Sequence, residues 1–204
     1  MKFRPTILLI VVILMVDQAS KLYVKTHFQL FEDVEIFPWF RIVFIENEGM
    51  AWGTRLSDII PFISSGTAKL ILTLFRITAV CGIAFWLYSS IINHKSRLLV
   101  LSIAVIFAGA LGNIIDSVFY GMIFSDSLGE VAQAFPEGGG YSKVFYGKVV
   151  DMLHFPIWSG RISESIPVIG GRYVSFFDPV FNIADVAITS GIGFLLLFNK
   201  RVFK

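Results

Sequence analysis

The 204-residue chain has one cysteine, Cys81, so no intrachain disulfide can staple it. Cys81 lies in an apolar run and reads as a small buried hydrophobe. Charge is also scarce: 16% of residues are Asp, Glu, Lys or Arg, where soluble domains carry about one quarter. There are three histidines, His27, His94 and His154, and nothing in their spacing suggests a metal site. The Gly-rich stretch PEGGGYSK (136–143) lacks phosphate-loop spacing and reads as a turn. No internal repeat is visible, and no segment is large enough for a separate soluble domain. What the chain does have is apolar residues, 55% of the total. It is an integral membrane protein by class.

A crossing helix needs about 20 mostly apolar residues. Four segments qualify, at about 6–25, 68–92, 98–116 and 179–198. The N-terminal one resembles a secretory signal, but its apolar core runs into DQASKLYV rather than a small-residue cleavage site, so a retained span is expected. Segments 1–6, 93–97 and 199–204 hold Lys2, Arg4, Lys95, Arg97, Lys200, Arg201 and Lys204 and no acid. By the positive-inside rule both termini and the middle loop are cytoplasmic. The long connections, 27–67 and 117–178, then face the other side. The expected architecture is one all-α membrane domain over 1–204, with four transmembrane helices and a small extracytoplasmic β-sheet. RIVFIE (41–46), after the aromatic FPWF (37–40), carries the strand pattern, and aromatics favour the membrane interface.

Polar residues inside spans are costly and mark function by default. Counting helical rise from the cytoplasmic edge puts Asp17 at about 16 Å and Lys21, Asn113 and Asp185 at about 22 Å, with Asp116 at about 27 Å. Three helices thus place acids in one layer toward the outer face. Asp17 and Lys21 are i,i+4 and share a helix face. NIID (113–116) and NIAD (182–185) each set an Asn and an Asp at i,i+3. Asp178-Pro179 suits a helix start, and Gly109, Ala110 and Gly112 permit close helix approach. Each residue has a plain structural reading as well. Asp17–Lys21 can be an intrahelical pair, Asp116 interfacial, the asparagines packing contacts, Arg76 a partner of one acid, and Lys69 a snorkelling side chain. Ser20-Lys21 is discounted as a nucleophile pair because helix neighbours diverge. On the residues alone, Asp116 ranks with Asp185, since both lie in spans.

Five stretches in order, VDQASK (16–21), ENEGMAWG (46–53), AGALGNIIDS (108–117), VVDML (149–153) and FNIADVAI (181–188), resemble the bacterial lipoprotein (type II) signal peptidases over the whole chain. The resemblance implies an aspartic endopeptidase that removes the signal peptide of a diacylglyceryl-modified prolipoprotein, cutting before the lipidated cysteine. It implies Asp151 and Asp185 as catalytic residues, and Asp17, Lys21, Asn47, Gly49, Asn113, Asp116 and Asn182 as substrate-binding or supporting residues. It also implies no metal or other cofactor, a location in the bacterial inner membrane beside lipid, globomycin-type inhibition and no nucleic-acid partner. Asp151 is promoted only by this resemblance.

The chain departs from the family pattern at Ser117, where Arg is usual, and at Trp52, where Phe is usual. Arg76 or Arg172 could replace the missing arginine. Insertions near 122–146 and 156–178 lengthen the spacing between the acids. Two other classes compete: a proton- or ion-coupled transporter, which also uses intramembrane acids, and a non-enzymatic assembly factor.

Overall fold

The computed structural model describes residues 2–48, 62–156, 158–161, 163–164, 171–176 and 179–202. Gly49, Trp52 and Asp178 lie outside them. Helix α1 spans Phe3–His27, α2 Ser65–Ile92 and α3 Arg97–Ile115, which continues through a π-helical turn at Asp116–Tyr120 to Ile123. A short helix α4 spans Ile183–Leu197 and α5 Asn199–Val202. Strands β1 (Asp33–Phe37), β2 (Phe40–Asn47), β3 (Val149–His154) and β6 (Val180–Phe181) form an antiparallel sheet in that order, and β4 (Trp158–Arg161) pairs with β5 (Tyr173–Phe176).

Among the described residues, three helices are long and apolar enough to cross a bilayer: α1, α2 and α3 with its extension. The fourth expected span is apolar but shorter, 15 residues. Its expected start at Pro179 is too early. Val180 and Phe181 pair with His154 and Leu153 of β3, so the chain is extended there, and Asn182 caps the helix that follows. Ser64 and Ser96 cap α2 and α3 by accepting from Thr67 and Leu99 N–H, the usual role of a hydroxyl at an N-cap.

Many large apolar side chains face outward, among them Leu8, Val11 and Met15 on α1, Phe75 and Phe85 on α2, and Leu196 and Leu197 on α4. Such a surface belongs in hydrocarbon. Cys81 is exposed on α2. The expectation that it is buried is therefore incorrect: an apolar run in a membrane helix turns one face to lipid as readily as to the protein. The interior is divided. One apolar cluster joins Leu87, Ile91, Val100 and Ile103 near the α2–α3 turn. Another joins Val24, Phe44, Tyr120, Val150 and Met152 under the sheet. The polar residues of α1 and α3 lie between these two.

Helix α3 is the hub, packed on α1, α2 and α4. Glycines set its approach to α1 and α4. A Cβ on Gly109 would sit 2.3 Å from the Ala184 carbonyl oxygen, and one on Gly112 would sit 2.5 Å from Asp17 Oδ2. The second gap lets the Asp17 carboxylate reach across to α3. At the sheet end, Phe37 stacks on Trp39, which continues to Phe155 and Phe181.

Gly109→Ala is expected to destabilise the protein by about 1–3 kcal/mol, because the clash is with backbone. Gly82→Ala, whose Cβ meets nothing within 4 Å, is expected to be neutral or slightly stabilising. Thermal melts of both variants in detergent check the difference.

Candidate active site

Lys21 organises the polar layer. It is fully buried, and its ammonium donates to Asp17 Oδ2 at 3.0 Å, Asp116 Oδ2 at 2.8 Å and Asn113 Oδ1 at 2.8 Å. Two carboxylates against one ammonium leave excess negative charge. N–H donors offset it. Gln18 Nε2 donates to Asp17 at 3.0 Å and to Asp116 at 3.0 Å. The backbone N–H of Ala184, in the first turn of α4, donates to Asp17 Oδ1 at 2.9 Å. A helix start favours nearby negative charge. The i,i+4 spacing expected for Asp17 and Lys21 thus makes an intrahelical pair, and that pair also joins α1 to α3 and α4. The π-turn begins at Asp116 and carries Tyr120 to Gln18 Oε1 at 3.2 Å.

Asn182 connects this layer to a second one. Its side-chain oxygen accepts from the Asp185 N–H at 2.9 Å, and Asp185 Oδ2 accepts from the Asn182 N–H at 3.2 Å. The i,i+3 spacing read as a shared helix face is therefore a capping box. The free amide of Asn182 donates to Asp151 Oδ1 at 2.7 Å and to Asn113 Oδ1 at 3.2 Å. Asn113 Nδ2 donates to Asp185 Oδ1 at 2.9 Å. Asn47 Nδ2, from the end of β2, donates to Asp151 Oδ2 at 3.0 Å. Both oxygens of each carboxylate are thus held, and Asn182 touches both acids.

Asp151 is nine-tenths buried or more. Burial, and then the negative charge of Asp185, push its carboxyl up to about 7, against the opposing pull of Asn47, Asn182 and Lys21. Asp116, which ranks beside Asp185 on sequence position, is fully buried and engaged by Lys21 and Gln18. Asp151 occupies the place next to Asp185 because β3 is an interior strand that runs back over the helix ends. Ser117 is buried and returns its hydroxyl to the Asn113 carbonyl at 2.9 Å. Arg76 lies within electrostatic range of Asp185 and Asp151, whereas Arg172 is exposed beside β5. Lys69 does not snorkel: it is buried and donates to the Glu48 carbonyl at 2.7 Å. Among the described residues, no group of three His, Cys, Asp or Glu side chains is placed to share a metal ion.

Sequence reasoning assigns no part to Gln18, which bridges both supporting acids, or to the Ala184 N–H. The signal for Gln18 was present: an amide one residue past Asp17 in an otherwise apolar span. A backbone donor leaves no trace in side-chain identity.

These features define a class: a multi-pass membrane protein with two carboxylates joined through asparagines, the equipment of an aspartic hydrolase. Residues 9–200 match the family model described as signal peptidase (SPase) II. A lipoprotein signal peptidase from Porphyromonas gingivalis is 44% identical over 95% of this chain and 81% of its own length. One from Amoebophilus asiaticus is 35% identical over 98% of this chain and 78% of its own. A bacterial membrane enzyme solved by the in meso method at 2.3 Å resolution shares the fold, with TM-score 0.58 and 23% identity over 98% of this chain and 90% of that one. The chain belongs to the signal peptidase II family. It is a membrane endopeptidase of the lipoprotein signal peptidase kind, as its motifs led one to expect, and the transporter and assembly-factor alternatives fall away.

Lys21→Met leaves two buried carboxylates without a counter-charge and is expected to cost about 3–5 kcal/mol of stability. Adding Asp17→Asn and Asp116→Asn to it is expected to restore much of that loss. Denaturation in mixed micelles compares the single and triple variants.

Proposed function

We propose that this peptidase removes the signal peptide of lipid-modified prolipoproteins, cutting before the diacylglyceryl-cysteine, with Asp151 and Asp185 as its catalytic pair. One observation carries the assignment: Asn182 touches both carboxylates at the head of α4, and Asn113 links Asn182 to Asp185. Peptide hydrolysis requires an activated water and a polarised carbonyl. Two close carboxylates do not both ionise readily, so the pair retains one proton. Asp151, whose carboxyl burial pushes up, holds that proton, donates it to the scissile carbonyl and stabilises the developing oxyanion. Asp185, at the start of α4, where negative charge is accommodated, takes a proton from the attacking water. The two titrations belong to the pair.

Asp17, Lys21, Asn47, Asn113, Asp116 and Asn182 hold this geometry, and the family resemblance adds Gly49 to the substrate-binding or supporting set. The chain is one membrane domain with four spans, α4 being the short fourth, and both termini are cytoplasmic. The catalytic pair then faces the extracytoplasmic side of the inner membrane, beside lipid, with the aromatic end of the sheet at the interface. A globomycin-type inhibitor would occupy the same site.

Asp151→Asn and Asp185→Asn are each expected to abolish cleavage of a diacylglyceryl prolipoprotein, by at least about 10³-fold, with the fold kept. Cleavage retained by Asp151→Asn but lost in Asp116→Asn would move the catalytic role to Asp116. In wild type, kcat/KM is expected to fall as pH rises through about 7, where Asp151 loses the shared proton. Asn47→Ala removes a donor that favours the ionised form, so this alkaline limb is expected to move upward by roughly one unit.

A further inference from the structure

A second buried charge cluster lies outside the catalytic pair. Lys25, near the end of α1, is fully buried. It donates to Glu46 Oε1 and to Ser127 Oγ, the latter at 2.6 Å. Its ammonium also lies 4.9 Å from the Tyr141 ring centre, 5.7 Å from Phe44 and 5.8 Å from Phe124. The other oxygen of Glu46 accepts from Lys148 at 2.9 Å. Tyr141 OH accepts from the Lys148 backbone N–H at 2.7 Å. Phe124, Ser127, Tyr141 and Lys148 all come from the long connection between α3 and β3. That connection is closed on itself by the Tyr141 N–H to the Phe124 carbonyl at 2.8 Å.

The target of this lock is Glu46, the neighbour of Asn47. Adjacent strand residues point to opposite faces, so Glu46 turns into the lock while Asn47 turns to Asp151. Strand β2 carries a register irregularity against β3 between Ile42 and Ile45, immediately before this pair. A one-residue slip there would send Asn47 to the wrong face. On the other side of Asn47, Lys69 holds the Glu48 carbonyl. An apolar plug would fill the same space at comparable stability, but it would not fix the register of one carboxylate.

We propose that Lys25, Glu46 and Lys148 are positioning residues for the peptidase reaction, and that the 124–148 connection serves as a clamp setting Asn47 against Asp151. The proposal rests on the catalytic reading above. Asp151 is faced by Asn47 from β2, Asn182 and Asp185 at the start of α4, Lys21 from α1 and Arg76 from α2. The clamp acts on the first of these, through the adjacent Glu46.

The test uses the full chain in detergent micelles with a diacylglyceryl prolipoprotein substrate. It measures the pH dependence of kcat/KM and thermal melting for wild type, Lys148→Met, Lys148→Arg and Glu46→Gln. Lys148→Met and Glu46→Gln are expected to lower kcat/KM about tenfold. They are also expected to raise the alkaline limb by roughly half to one pH unit, in the direction of Asn47→Ala. Lys148→Arg keeps the charge and is expected to retain the wild-type profile. Lys148 is only partly buried, so its variants keep the test usable if Glu46→Gln fails to fold. A lower melting temperature with an unmoved limb, or no change in either, would overturn the proposal. Wild type that does not cleave would instead overturn the catalytic reading on which it rests.

Discussion

A lysine ammonium taken out of water costs several kcal/mol unless charge and hydrogen bonds compensate it, and Lys21 is fully buried between helices. Its compensation comes from three places at once: Asp17 on its own helix, and Asn113 and Asp116 on α3. Asp17 in turn reaches the N–H of Ala184 at the head of α4 through the gap at Gly112. The helices cannot separate without exposing this network to hydrocarbon, which offers no replacement partners. Helix–helix association in a membrane has little hydrophobic drive of its own. The Lys21 network and the glycine contacts of α3 therefore fix the helix arrangement, and with it the position of Asn182 and Asp185.

The proposed catalytic pair, Asp151 and Asp185, is held by a different device. Among the described residues, no lysine forms an ion pair with Asp151 or Asp185. Each is held by asparagine amides, and Asn182 touches both acids. Amides orient a carboxylate without discharging it, which suits the proton transfer proposed for this pair, while Asp17 and Asp116 are locked by Lys21. The same sequence thus treats its carboxylates in two ways. Asp17 and Asp116 are paired with a cation; Asp151 and Asp185 are held by amides. That contrast separates Asp116 from Asp185, which sequence position alone could not do.

Much of this was legible beforehand. The apolar runs and the layer of Asp17, Lys21, Asn113, Asp116 and Asp185 follow from hydropathy, helix rise and the cost of charge in hydrocarbon. The i,i+4 pair and the strand at 41–46 were readable from spacing. The length of α4 was not, because FNIAD gives no sign that Val180 and Phe181 would pair with β3. The exposure of Cys81 was equally hidden, since hydropathy does not distinguish lipid from protein interior. Lys69 was misread as snorkelling, because its acceptor is the carbonyl of Glu48, a group that every residue possesses.

The sequence by itself determined the membrane class, the shared level of the polar residues along the helices and, through its ordered motifs, the family. These depend on composition and on distances along one helix, which are local quantities. Tertiary structure decided which carboxylates meet. Asp151 lies 35 residues from Asp116 and 34 from Asp185 along the chain, and only the pairing of β3 with β2 and β6 brings it over the head of α4. Sheet register and helix crossing are set by the sum of many weak contacts between distant segments, and no short stretch of sequence carries that sum.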